Sequence, residues 1–173
     1  MYENVMNKFV WGNMNDPEVY LDETNLRMTF NFRNSFVRLA SKLMMEGKKD
    51  KAIAVLDKTE ELMPDNIVPY NYFNLLIADL LVDLQQFDKA EKMLTRLEER
   101  TTQELNYFKQ FEGGAARSIE DEVRRATIIL QSAQELKNKL RLVKMNPAAG
   151  VEGAMKVLEE NAEGQKTAAD SGK

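Results

Sequence analysis

The stretch FVRLASKLMMEGKKDKAIAVLDKTEELMP, residues 36–64, decides how this chain folds. Its apolar residues recur every three or four positions, the period of an α-helix rather than the alternation of a strand. Phe36, Leu39, Ala40 and Leu43 share one face of a helix expected over about residues 25–46. Gly47 ends it, because glycine adopts the left-handed conformation of a helix C-terminus. Asp50 is expected to cap the next helix, which turns Ala52, Ile53, Leu56 and Leu62 to one side and stops before Pro64. Two amphipathic helices joined by so short a link form an antiparallel hairpin.

Further along, a third helix is expected over about residues 69–84, and a fourth runs from Asp88 to about Arg100. The second pair repeats the first at an offset of 38 residues. Ala52 falls on Ala90, and Asp50, Leu56 and Thr59 fall on Asp88, Leu94 and Leu97; upstream, Leu39, Ala40 and Leu43 fall on Ile77, Ala78 and Leu81. This pattern resembles the tetratricopeptide repeat, which places small residues where the two helices of a hairpin touch. Phe36, Leu39, Ala40, Leu43, Ala52, Leu56 and Pro64 stand at its signature spacings in the first unit. The second unit departs from it, with Asn74 in place of a bulky aromatic and Thr102 in place of proline. Any close helix crossing also selects small residues, so the first unit carries more of the resemblance than the second.

Two such units bury too little apolar surface to stand alone, since about three are needed for a continuous core. The flanks are therefore expected to cap them. The expected fold class is all-α, a short α-solenoid of two tetratricopeptide-like hairpins over residues 33–104. Residues 1–32 form an N-terminal capping segment, 105–117 a loop, 118–163 C-terminal capping helices and 164–173 a disordered tail. Ser118 is expected to cap a helix whose stripe is Val123, Ala126, Leu130, Ala133, Leu136 or Lys137, and Leu140. Pro147 then opens a last short helix with Val151, Met155 and Leu158 inward. Near the N-terminus Leu26, Met28, Phe30 and Phe32 alternate like a strand, but without a second strand to pair with the segment reads as helix.

Composition removes whole classes of chemistry. The 173 residues contain no cysteine and no histidine, which excludes disulfides, thiol nucleophiles, imidazole bases and zinc sites built on either. A net charge of −4 speaks against a broad nucleic-acid footprint, and no nucleic-acid partner is expected. Met1 to Val10 lacks the apolar run of a signal peptide. The most apolar stretch, Leu75 to Leu84, is interrupted by Asp79 and Asp83 and falls short of the ~20 residues that span a bilayer. The chain as it stands is thus expected to be soluble, without direct membrane insertion.

Few residues offer a site. Asn13, Asn15, Asp16, Glu18, Asp22 and Glu23 cluster as oxygen donors, but Pro17 breaks the calcium-loop template and its glycine is missing. Gly113 and Gly114 lack the ending of a phosphate loop and read as flexible chain. Adjacent carboxylates such as Glu60 with Glu61, or Glu98 with Glu99, point about 100° apart on a helix and set no defined acid–base distance. Trp11 and Tyr20, with Phe9, are candidates for stacking on a sugar, against the commoner role of aromatics as core. No catalytic residue, cofactor or metal is expected. If the hairpins stack, the first helix of each lines a concave groove with Asn34, Val37, Arg38, Ser41, Tyr72, Leu75, Leu76 and Asp79, a surface suited to a protein or peptide partner. Val37, Ser41 and Leu76 stand where repeat proteins that grip a terminal carboxylate carry lysine and asparagine, so that mode is not expected.

A second likeness covers about residues 2–112. It lies in Tyr2-Glu3-Asn4, Asn7-Lys8-Phe9, Trp11-Gly12-Asn13-Met14-Asn15-Asp16, Val19-Tyr20-Leu21-Asp22, Asn25-Leu26-Arg27-Met28 and Asn31-Phe32-Arg33-Asn34. Gly47-Lys48-Lys49-Asp50 and Val68-Pro69-Tyr70-Asn71-Tyr72-Phe73 continue it. These segments resemble the soluble C-terminal tail of a family of large bacterial multi-pass membrane proteins, whose membrane part resembles lipid-linked-sugar protein O-glycosyltransferases. The resemblance implies a membrane-embedded parent, a periplasmic or extracytoplasmic location and an accessory role without catalytic residues of its own. Within that role, a carbohydrate-binding module at Trp11 and Tyr20 and a purely structural or oligomerising domain are the alternatives to peptide docking.

Overall fold

The computed structural model describes residues 1–145. Within them the structure is helical and contains no strand: α1 (Tyr2–Asn7), α2 (Glu23–Met45), α3 (Lys49–Leu62), α4 (Tyr72–Asp83), α5 (Phe87–Phe108), α6 (Gly113–Ser118) and α7 (Glu120–Met145). The helix expected after Pro147 and the tail over 164–173 lie outside the described residues. The chain divides into two compact units, Met1–Leu84 and the part from Gln85 onward.

In the first unit α2 packs on α3 and α4, and α1 lies against α3. Asp22 caps α2 by accepting from the Asn25 amide at 2.7 Å. The segment that alternates like a strand is the first half of this helix. Its buried stripe runs Thr29, Arg33, Phe36, Ala40 and Leu43, spaced three or four residues apart as one helix face requires. Against it α3 sets Ala52, Val55, Leu56 and Thr59. Ala40 and Ala52 have no exposed surface at all, as small residues at a close crossing must. Asn71 opens α4 with a reciprocal capping box, accepting from the Phe73 amide while the Asn74 side chain accepts from the Asn71 amide.

In the second unit α7 lies along α5. Ala126, Ala133, Leu136, Leu140 and Val143 are buried on the α7 stripe, while Arg124, Arg125 and Gln131 face solvent. Lys137 joins Glu98 at 2.5 Å and Lys144 joins Glu91 at 2.6 Å, tying α7 to α5 at two levels. The exposed Lys144 ammonium holds the Glu91 carboxyl below the usual carboxylate range, chiefly through its hydrogen bond.

Four features at the element ends differ from expectation. α5 does not stop near Arg100 but runs to Phe108, and α6 occupies the end of the expected 105–117 loop. Thr102 stands where the repeat pattern has proline, so nothing removes an amide there, and Gln103, Glu104 and Leu105 are good helix formers. Ser118 ends α6 instead of capping α7, its hydroxyl donating to the Ala115 carbonyl at 2.8 Å. Asp50 makes no cap, because α3 begins one residue earlier at Lys49; its carboxylate stands in the first turn, where the helix dipole favours it.

The 38-residue offset recurs in the backbone. Gly47 and Gln85 both have positive φ, +72° and +60°. The residues before them, Glu46 and Leu84, have φ/ψ of −83°/3° and −81°/3°. The residues after them, Lys48 and Gln86, have −89°/59° and −88°/57°. Ala78, Ala90 and Leu94 are fully enclosed, like Ala40 and Ala52.

Candidate functional site

Beside its core stripe α2 carries Asn34, Val37, Arg38, Ser41 and Met45, of which Val37 is itself buried. These residues form the floor of a cleft of about 850 Å³ in the first unit. Its other walls include Met1 just before α1, Tyr2 from α1, Lys48 and Lys51 around the start of α3, and Leu76 from α4. The Lys51 ammonium sits over the Tyr2 ring, 5.0 Å from its centre, and so pins α1 to the first turn of α3.

Of the eight expected groove residues, the cleft brings together Asn34, Val37, Arg38, Ser41 and Leu76. Tyr72, Leu75 and Asp79 do not line it. Leu75 is buried among the apolar residues of α4, and Tyr72 is half exposed against Phe73, with ring centres 6.1 Å apart. The Ser41 hydroxyl donates to the Val37 carbonyl at 2.9 Å, a bond within the helix that leaves its oxygen still able to accept.

The cleft carries a charge that the residue pattern does not announce. Arg38, Lys42, Lys48 and Lys51 line it, against the single carboxylate of Glu46. Glu46 is taken by Lys48 at 2.7 Å, and that hydrogen bond holds its carboxyl below the usual range. Arg38, Lys42 and Lys51 make no direct ion pair with a carboxylate among the described residues. Arg38 and Lys42 are an i, i+4 pair on α2, which a sequence reading assigns to a solvated face; only the hairpin brings Lys51 beside them.

A second, apolar cavity of about 530 Å³ lies around Trp11, lined by Val5, Phe9, Met14, Phe32 and Phe36 among others. Trp11 stands edge-on to Phe9 and Phe32 at 5.8 and 5.7 Å and tilted on Phe36 at 5.4 Å. Its indole Nε1–H is buried and finds no hydrogen-bond partner. Tyr20 is 87% exposed, makes no ring contact with Trp11 and does not line this cavity. The two residues named for sugar stacking are thus held apart, and Trp11 serves as the centre of an aromatic cluster that joins the N-terminal segment to α2.

Sequence reasoning misses Arg33 altogether. It is completely buried, and its guanidinium donates to the carbonyls of Met63, Val68 and Pro69 at 2.8, 2.9 and 2.8 Å. Tyr70 lies 5.8 Å from the guanidinium carbon and donates to Glu60 at 2.5 Å. Burial, reinforced by that hydrogen bond, pushes the Tyr70 phenol well above its ordinary range. The one signal in the sequence is an arginine on the apolar stripe between Thr29 and Phe36. This cluster is a clasp for the chain between α3 and α4.

Among the described residues no three His, Cys, Asp or Glu side chains gather as a metal site. No helix among them is long and apolar enough to cross a membrane. Compared with protein-family models, curated proteins and solved structures, the chain matches none of them.

Proposed function

We propose that this chain is a non-catalytic module that docks a protein or peptide in the cleft floored by α2. The observation that carries the reading is the convergence of Asn34, Val37, Arg38, Ser41 and Leu76, from two helices, on one open cleft of about 850 Å³. The floor from Asn34 to Met45 is about 16 Å long at 1.5 Å per residue, which matches about five residues of extended peptide or three turns of helix. Apolar walls beside hydrogen-bonding groups suit such a partner better than a small metabolite. The absence of histidine and cysteine from the sequence agrees with work done by contact.

The same proposal gives the module a setting. The resemblance of residues 2–112 to the soluble tail of glycosyltransferase-like membrane proteins supports an extracytoplasmic accessory domain that holds an acceptor polypeptide, and the two tetratricopeptide-like hairpins would supply its scaffold. A peptide array probed with the purified chain tests the docking reading. Binders are expected that are lost with Arg38→Ala and Leu76→Asp and retained with Tyr72→Ala. Binders indifferent to both cleft substitutions would refute the assignment.

A further inference from the structure

We infer that the cleft takes an acidic polypeptide segment, one that sets carboxylates against Arg38, Lys42 and Lys51 and an apolar side chain against Val37 and Leu76. This rests on the docking reading above and specifies the partner's chemistry. The lining holds four cations and one carboxylate, in a chain whose net charge is −4. The local sign is therefore opposite to that of the whole molecule. Glu46 is hydrogen-bonded to Lys48 and also feels the charge of Lys42, so one carboxylate stands against four cations and the cleft keeps a positive excess.

Arg38, Lys42 and Lys51 are exposed, so their ammonium and guanidinium groups pay little desolvation while free. Arg38 presents a planar fork suited to a carboxylate, and Lys42 stands one turn further along α2. Lys51 is held in place by the Tyr2 ring, which fixes its position before a partner arrives. Val37 and Leu76 supply the apolar wall between them; Val37 is mostly buried, whereas Leu76 is half-buried and open to contact. Charge then sets the register and the rate of encounter, and the apolar contact sets the residence time.

The test uses the full chain and two fluorescently labelled twelve-residue peptides with identical leucines, one carrying Asp and Glu, the other Asn and Gln at the same positions. The acidic peptide is expected to bind about tenfold or more tightly than the neutral one at low salt, and to weaken as NaCl rises from about 50 to about 300 mM. Arg38→Glu with Lys42→Glu is expected to weaken the acidic peptide at least about tenfold. The milder Arg38→Gln, on an exposed face, should weaken it without reversing the charge. Equal binding of both peptides, lost in Leu76→Asp but unaffected by charge reversal, would overturn the acidic preference and leave the docking reading standing. No binding of either peptide at millimolar concentration would overturn both. Tighter binding of a twelve-residue oligothymidylate, or of phosphatidylserine vesicles, than of the acidic peptide would also overturn it.

Discussion

Arg33 Nη2 donates to the carbonyl oxygen of Met63, 2.8 Å away, and Met63 is the residue that closes α3. The guanidinium thus sits at the negative end of the α3 dipole while two further bonds hold Val68 and Pro69. One side chain from the middle of α2 therefore fixes where α3 ends and from where the chain sets out toward α4. Arg33→Met, which keeps bulk and removes the donors, is expected to cost about 3–5 kcal/mol, because three carbonyls lose their partner in a dry site. Arg33→Lys should recover only part of this, having a single ammonium in place of the planar fork. Urea denaturation followed by circular dichroism measures both. A loss under about 1 kcal/mol for the methionine variant, no more than one ordinary hydrogen bond contributes, would show that the clasp does not hold the loop.

Tyr70 completes that clasp and gives it a pH dependence. Its phenol is held protonated in the folded chain, so the folded value lies above the unfolded one. The sign follows directly: the contribution is complete below about pH 10, where the unfolded phenol ionises, and is lost as pH rises beyond that. Stability measured between about pH 8 and pH 11 should fall more steeply in the wild type than in Tyr70→Phe. Parallel curves would disprove the role assigned to burial and to Glu60.

Ala40 faces the α2–α3 crossing with no exposed surface, and Ala52 does so from the other side. Ala40→Leu adds three carbons where none fit and is expected to cost about 1–3 kcal/mol or more, as overpacked cores do. Ala54, half-buried on the same helix as Ala52, should accept leucine at much lower cost. Thermal denaturation of the two variants separates a packing requirement at the crossing from a general intolerance of leucine in the α2–α3 hairpin.

These alanines are legible in the sequence alone, since their 38-residue recurrence and the flanking apolar period announce helices that cross closely. The clasp and the basic cleft are not legible to the same degree, and for different reasons. Arg33 meets carbonyls 30 to 36 residues away, and backbone acceptors leave no trace in side-chain identity. Lys51 joins Arg38 and Lys42 only through the fold of the hairpin; along the chain each looks like an ordinary solvated charge. Trp11 illustrates a third case, because its neighbours Phe32 and Phe36 belong to α2, while Tyr20, nearer along the chain, stands apart from it. The length of α5 follows local composition rather than the repeat pattern, for no helix breaker stands between Thr101 and Phe108.

In the second unit the Lys137–Glu98 pair is about one-fifth exposed on each side, and Lys144–Glu91 lies further out. Lys137→Ala is expected to cost about 1–2 kcal/mol, from the lost contact and from a largely shielded carboxylate left alone. Lys144→Ala should have a smaller effect that vanishes in about 0.5 M salt, where exposed charges are screened. Chemical denaturation at low and high salt distinguishes them, and equal losses for the two would contradict the difference in shielding.

The two left-handed turns provide a reciprocal test of the repeat. Gly47 has φ +72° with nothing within 4 Å of where a Cβ would stand, so Gly47→Ala meets backbone strain alone. It is expected to destabilise by about 1 kcal/mol, the cost of holding an L-residue in that region. Gln85 occupies the corresponding position at φ +60° and already bears that cost. Gln85→Gly should therefore stabilise by about 0.5–1 kcal/mol, the relief of strain exceeding the entropy lost by the freer unfolded chain. The double variant Gly47→Ala, Gln85→Gly should return near wild-type stability, because the sites share no partner and their effects add. If glycine at 85 destabilises instead, that turn does not share the conformation of the turn at Gly47, and the 38-residue correspondence stops at the side chains.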